Sequence, residues 1–225
     1  MLSSRAAVFL LDVDNTLLDN DRFSADLGER LEASFGAAER ARYWEIFARR
    51  RESLTLADYL GSLQEFRFGL DDDPKLLDMS QFLLEYPFPS RLFPNALQAI
   101  AHLRTLGAPA VLSDGDIIFQ PRKIQRSGIW DAVEGRVMIY LHKEKVLDHM
   151  QRRYPAEHYV MVDDKPTLLA AMKGTMGTRL TTVFVRQGHY ALAPESASVV
   201  PAPDLTIEHI GDLLNFKLTD FKVHP

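Results

Sequence analysis

Cysteine is absent from this 225-residue chain. Disulfides and thiolate metal sites are therefore excluded, and any bound metal must be held by oxygen or by histidine nitrogen. A basic excess is lacking too: 26 lysines and arginines stand against 31 aspartates and glutamates, a formal charge of −5. That balance argues against nucleic acid or a membrane surface as a partner, while leaving room for a local basic pocket. There is no long apolar run. Met1 leads through one arginine into the first apolar segment, so neither a signal peptide nor a membrane span is expected, and the cytoplasm is the default location. What the chain does have is carboxylate, which favours a hard ion such as magnesium. Its 46% of hydrophobic residues suffices for one substantial core, or for a core with a small second domain. Composition says nothing of oligomeric state.

The chain is organised around one segment. Val8, Phe9, Leu10 and Leu11 form a continuous apolar run, followed by Asp12, Val13, Asp14, Asn15 and Thr16. Such a run is what a parallel strand buried on both faces requires, and ligands of open α/β sheets bind in the crevice beyond the strand ends. With a side-chain period of two, Asp12 and Asp14 leave the strand on the same side. Two like charges that close repel unless a cation lies between them or one takes a proton. An Asp-rich turn after a core strand is the plainer alternative, since Asp and Asn are ordinary turn residues.

From Asp21 to Leu84 the pattern is helical. Phe23, Leu27, Leu31 and Phe35 fall on one helix face. Tyr43, Trp44 and Phe47, then Leu56, Tyr59, Leu60, Leu63 and Phe66, mark two further amphipathic stretches, the second with Thr55 as expected N-cap and Asp58 in its first turn. Packing alone explains these aromatics. Gly69 to Pro74 reads as a solvated turn. No strands alternate with these helices, so they form an insert. After the prolines of Tyr86-Pro87-Phe88-Pro89 and Leu92-Phe93-Pro94, helices are expected over about 95–106, 119–127, 144–154, 166–173 and 207–215. Strands are expected over about 108–113, 136–140, 159–162 and 181–185, with an irregular loop over about 194–203. Strands alternating with helices imply a parallel sheet with right-handed crossovers.

Each later strand is followed by polar residues suited to one chemistry. Ala110-Val111-Leu112 leads into Ser113-Asp114-Gly115-Asp116, where a hydroxyl and free backbone N–H groups suit phosphoryl oxygens. Tyr159-Val160-Met161-Val162 leads into Asp163-Asp164-Lys165, and His142-Lys143-Glu144-Lys145 opens the helix between them, whose N-terminus itself favours anions. Singly, a strand-end serine or a lysine at a helix start is commonplace. Together, at the ends of successive parallel strands, they converge on one crevice.

In this order the residues resemble the haloacid dehalogenase-like (HAD) hydrolases. The family's Asp-x-Asp-x-Thr motif is matched by Asp12, Asp14 and Thr16, its strand-end serine by Ser113, its lysine by Lys143 with Leu147 four residues on, and its acidic pair by Asp163 and Asp164. Two departures stand out. No further acid follows the pair, where Thr167, Leu168 and Leu169 stand, so Asp164 takes over as the auxiliary metal carboxylate. Lys145 and Lys123 compete with Lys143, which is preferred because a helix begun at Glu144 places it at the crevice mouth. The resemblance implies an α/β fold, a Rossmann-like parallel-sheet HAD core over about residues 1–17 and 90–225 with an inserted α-helical cap over about 18–89.

It also implies a mechanism. Asp12 is the expected nucleophile, forming an aspartyl-phosphate, and Asp14 the acid that protonates the leaving oxygen and then activates water. Ser113, Asp114 and Lys143 hold the phosphate. Magnesium is held by Asp12, the backbone carbonyl of Asp14, Asp163 and Asp164. The expected substrate is a small phosphorylated metabolite, and Asp14 favours phosphoryl transfer over carbon–halogen cleavage, which has no leaving oxygen to protonate. A phosphomutase or phosphotransferase would share every motif residue. A non-catalytic binding protein is the other alternative, against which the intact residue set argues. Asn20, Asp21, Arg22 and Arg51 in the insert are candidates for substrate contact, and Arg186 to Tyr190 for the pocket border, with His189 read as an ordinary loop residue.

Overall fold

The computed structural model describes residues 5–70 and 72–223, so Asp71 of the expected turn lies outside the described residues. Six strands, β1 (Arg5–Leu11), β2 (Ala108–Asp114), β3 (Val137–Tyr140), β4 (Ala156–Asp163), β5 (Leu180–Val185) and β6 (Leu205–Ile207), form one parallel sheet in the order β3-β2-β1-β4-β5-β6. The apolar run of β1 is continuous because both its faces are covered. Ala7, Phe9 and Leu11 join one hydrophobic cluster and Val8 and Leu10 the other, each large side chain contributing about 1.5 to 3 kcal/mol relative to exposure.

Between β1 and β2 lie α1 (Asn20–Phe35), α2 (Ala37–Leu54), α3 (Tyr59–Phe66) and α4 (Lys75–Glu85). Phe23, Leu27 and Leu31 are fully buried along α1, as their spacing requires. Asp19 caps α1 by accepting from the Arg22 amide, and Asp58 caps α3 by accepting from Gly61 at 2.7 Å. Thr55 is therefore not an N-cap: it is the left-handed residue that ends α2. The remaining helices are α5 (Ala96–Leu106), α6 (Phe119–Arg126), α7 (Ile129–Ala132), α8 (Leu147–Arg153), α9 (Pro166–Met176) and α10 (Gly188–Ala191). α8 and α9 cover one face of the sheet through Leu147, Met150, Leu169 and Met172. The insert, α5 and α6 lie over the other.

Two expected helices differ. The stretch over 144–154 begins as a 3-10 turn at Lys143–Lys145 and becomes α-helical only at Leu147. The expected last helix splits into β6 and a 3-10 segment at Ile210–Asn215, because Ile207, Ile210 and Leu213 recur every three residues, a spacing that a 3-10 turn satisfies as well as an α-helix. Among the described residues, no helix is long and apolar enough to cross a membrane.

Candidate active site

Sheet register brings the acids together. Leu11 stands opposite Val162 of β4 and Val111 of β2, so Asp12, Ser113 and Asp163 leave the sheet at the same end. The Asp12 amide donates to the Val162 carbonyl at 3.0 Å, which holds the chain beside β4 for one residue past the strand. Asp12, Ser113, Asp163 and Asp164 are all buried.

Lys143 lies at their centre. Its Nζ is 2.5 Å from Asp12 Oδ1 and 2.6 Å from Asp163 Oδ2, the second an ion pair too poorly aligned for a hydrogen bond. Burial alone would lower the lysine's pKa, but Asp12, Asp163 and Asp114 outweigh it and hold the ammonium above its ordinary range. Lys145 is exposed and Lys123 pairs elsewhere, so of the three lysines it is Lys143 that reaches Asp12 and Asp163. The reason differs from the one read in the sequence. Lys143 sits in the 3-10 turn before the helix, and its backbone N–H donates to Asp114 Oδ1 at 2.7 Å. The Asp114 carboxylate is thus engaged in holding Lys143, and burial pushes its pKa up against the pull of that lysine. Any contact from Asp114 to a phosphate falls to its backbone.

Asp12, Asp163 and Asp164 each offer an oxygen within 4.8 Å of the others. Both oxygens of Asp164 are buried without a hydrogen-bond partner. Burial, with Asp163 and Asp12 close by, pushes the Asp164 carboxyl up to about 9, and burial raises Asp163 as well. Three carboxyl groups crowd against one ammonium in a buried site, and the donors are all hard oxygens. The set fits a divalent cation. The Asp14 side chain stands apart from this group.

Asp14 is held in the opposite direction by a residue whose role the sequence does not reveal. Lys123 is fully buried, with Nζ 2.7 Å from Asp14 Oδ1 and 3.0 Å from Asn20 Oδ1, and it lies among the rings of Phe23, Tyr59 and Phe119. The other Asp14 oxygen is 3.4 Å from the Gln120 amide nitrogen, which also donates to Ser113 Oγ at 3.0 Å. Asn15, with φ 62°, turns the chain here and accepts from the amides of Asn20 and Asp21. Gly188 is required behind it, since a Cβ there would lie 2.4 Å from the Asn15 side chain.

Beside these groups a cleft of about 500 Å³ opens between insert and sheet, bordered by Asp14, Asp114 and Gln120 and, from the insert, by Asn20, Asp21 and Arg51. Its far wall includes Lys165, His189 and Tyr190. Arg22 is not part of it and pairs with Asp26 at 2.7 Å. His189 is more than a loop residue: its ring nitrogen lies 2.6 Å from Asp21 and its amide donates to the same carboxylate. The insert closes over the site through Thr55, whose hydroxyl is 3.1 Å from His142 Nε2.

Comparison with known proteins places this arrangement. Residues 6–174 match the family model of haloacid dehalogenase-like hydrolases, and no curated protein matches by sequence. A haloacid dehalogenase-like hydrolase structure from Burkholderia xenovorans LB400 is 57% identical, covers 94% of this chain and 99% of its own, and superposes with a TM-score of 0.87. More distant folds include an L-2-haloacid dehalogenase from Xanthobacter autotrophicus with chloropropionic acid covalently bound (18% identity, 92% and 96% coverage, TM-score 0.57). Another is the HAD hydrolase YfnB from Bacillus subtilis bound to magnesium (17%, 95% and 100%, 0.61). With the family model spanning most of its length and the strand-end acids, serine and lysine gathered at one end of the sheet, this chain belongs to the haloacid dehalogenase-like hydrolases.

Proposed function

We propose that the protein is a magnesium-dependent phosphomonoester hydrolase acting through an aspartyl-phosphate on Asp12, with the helical insert as its cap. The observation that carries this reading is the Asp14 carboxylate at the cleft wall, one oxygen tied to Lys123 and the other beside Gln120. Carbon–halogen displacement has no use for a proton donor there.

In the first step an Asp12 oxygen bonds to phosphorus as the ester P–O bond breaks, and the leaving oxygen takes from Asp14 a proton that the monoanionic ester has brought into the site. The ammonium of Lys123 then faces the charge that Asp14 carries. In the second step Asp14 takes a proton from water, whose oxygen attacks phosphorus and releases the Asp12 carboxylate. Lys143 and the Ser113 hydroxyl meet the charge on the phosphoryl oxygens. Asp12, Asp163, Asp164 and the Asp14 backbone carbonyl would hold the magnesium, which lowers the repulsion between carboxylate and phosphate.

Removal of divalent ions gives a signed expectation. Between about pH 4 and about pH 9 the unfolded chain has lost the proton that folded Asp164 keeps. The folded state therefore binds more protons, and metal-free stability falls as pH rises through that window. Lys143 contributes a constant there, since it is charged in both states. The melting temperature in chelator should drop from about pH 6 to about pH 8, with magnesium restoring more at the higher value. A pH slope that magnesium leaves unaltered would contradict the metal assignment.

The activity test is a panel of sugar phosphates, nucleotides and p-nitrophenyl phosphate, with 2-chloropropionate alongside, each with and without magnesium. Inorganic phosphate released only with magnesium, and no chloride, is the expected result. Chloride without phosphate would replace this reading by a dehalogenase, and isomerised product without phosphate by a mutase.

A further inference from the structure

The charges around the cleft are unevenly satisfied. Each of its three acids already has a partner: Asp14 has Lys123, Asp114 has the Lys143 amide, and Asp21 has Asn15 and His189. Neither of its two permanent cations is held in an ion pair, although Lys165 acts at longer range on Asp114, Asp163 and Asp164. Arg51 and Lys165 come from different parts of the fold, the last turn of α2 and the loop after β4, yet both reach the ring of Tyr190, at 5.6 Å and 4.8 Å from its centroid. Among the described residues, no carboxylate lies within ion-pair distance of either, and the Tyr190 hydroxyl has no hydrogen-bond partner. The contrast with the neighbouring arginines is informative. Arg49 pairs with Glu65 and Arg50 with Asp58 at 2.6 Å, so the insert neutralises two of three consecutive arginines internally and turns the third to the cleft.

We propose that Arg51, Lys165 and Tyr190 form a second anion subsite, and that the substrates are phosphomonoesters carrying a further carboxylate or phosphate. This rests on the hydrolase reading above, with the reacting phosphate at Asp12 and Lys143. The guanidinium and ammonium meet the second anion by charge-assisted hydrogen bonds, and the Tyr190 hydroxyl is free to donate a third. Because Arg51 belongs to the insert and Lys165 to the sheet domain, a second anion on the substrate is held from both bodies.

Matched pairs test it. 3-Phosphoglycerate and glycerol 3-phosphate differ by a carboxylate in place of a hydroxymethyl group. Fructose 1,6-bisphosphate and fructose 6-phosphate differ by a second phosphate. With magnesium present, the charged member of at least one pair should have the higher kcat/KM, and the pair that responds tells which anion is read. Arg51→Ala should lower that charged-to-neutral ratio about 10- to 100-fold, through KM. Arg51→Lys should restore part of it, and Arg49→Ala should leave the ratio alone. A ratio unchanged in Arg51→Ala, including equal losses on both members, overturns the subsite. If the wild type hydrolyses none of the four esters and no member of the wider panel above, the hydrolase reading itself fails. Calorimetric titration of the same pairs into Asp12→Asn then decides the subsite separately: tighter binding of a charged member, lost on adding Arg51→Ala, supports it, and equal affinities overturn it.

Discussion

Asp12→Asn is expected to lower phosphate-ester turnover by at least about four orders of magnitude while the protein stays folded, because the amide cannot form the covalent intermediate through which both steps pass. The fold should survive, since Lys143 keeps Asp163 at 2.6 Å and the removed charge belonged to a crowded acid cluster. Circular dichroism and steady-state phosphate release measured on one preparation check both halves. Turnover within tenfold of wild type would remove Asp12 from the role of nucleophile. A binding-only HAD-fold protein would show no turnover in either form, which separates that alternative cleanly.

Lys143→Ala should be the more damaging change to the protein as a whole. It takes the one ammonium away from Asp12 and Asp163, both of which are buried, and breaking a buried ion pair by removing one partner costs about 3 to 5 kcal/mol. Activity should fall a further way, about 10²- to 10³-fold, through the lost stabilisation of phosphoryl charge. Magnesium should recover part of the stability, because it supplies positive charge to the same oxygens, and little of the activity. Lys145→Ala, at an exposed position, should change stability by less than about 0.5 kcal/mol. Denaturant melts with and without magnesium, paired with phosphate release, rank the two variants, and the reverse ranking would move the lysine's role to Lys145.

The parts of this arrangement that were legible in the sequence are those governed by strand physics. A run of four apolar residues before Asp12 marks a strand covered on both faces, and polar residues following successive strands converge because parallel strands all end at the same edge. Long-range pairing was much less legible. Lys123 reads in the sequence as a competitor of Lys143 for the phosphate, yet it is buried against Asp14, 109 residues away in sequence. A signal was there: Phe119 and Lys123 lie four residues apart, so the lysine shares the face of α6 that carries a buried aromatic. β6 is hidden in the sequence because three residues give too short a pattern to oppose the apparent helix of Ile207, Ile210 and Leu213. The end of α2 misled for a different reason. Thr55 and Asp58 are both good N-cap residues, and the left-handed backbone at Thr55 together with the Gly61 amide on the Asp58 carboxylate shows which of them begins α3.

The whole mechanism turns on the covalent bond between Asp12 and phosphorus, formed with acids of two strands and Lys143 gathered about it. Its most direct measurement is acid quenching of the wild type during magnesium-supported turnover of a phosphate ester, followed by peptide mass spectrometry. The expected result is a peptide containing Asp12 that is heavier by one phosphoryl group and reverts on mild alkali. Steady phosphate release with that peptide never modified, or with the phosphoryl group on another residue, would contradict it.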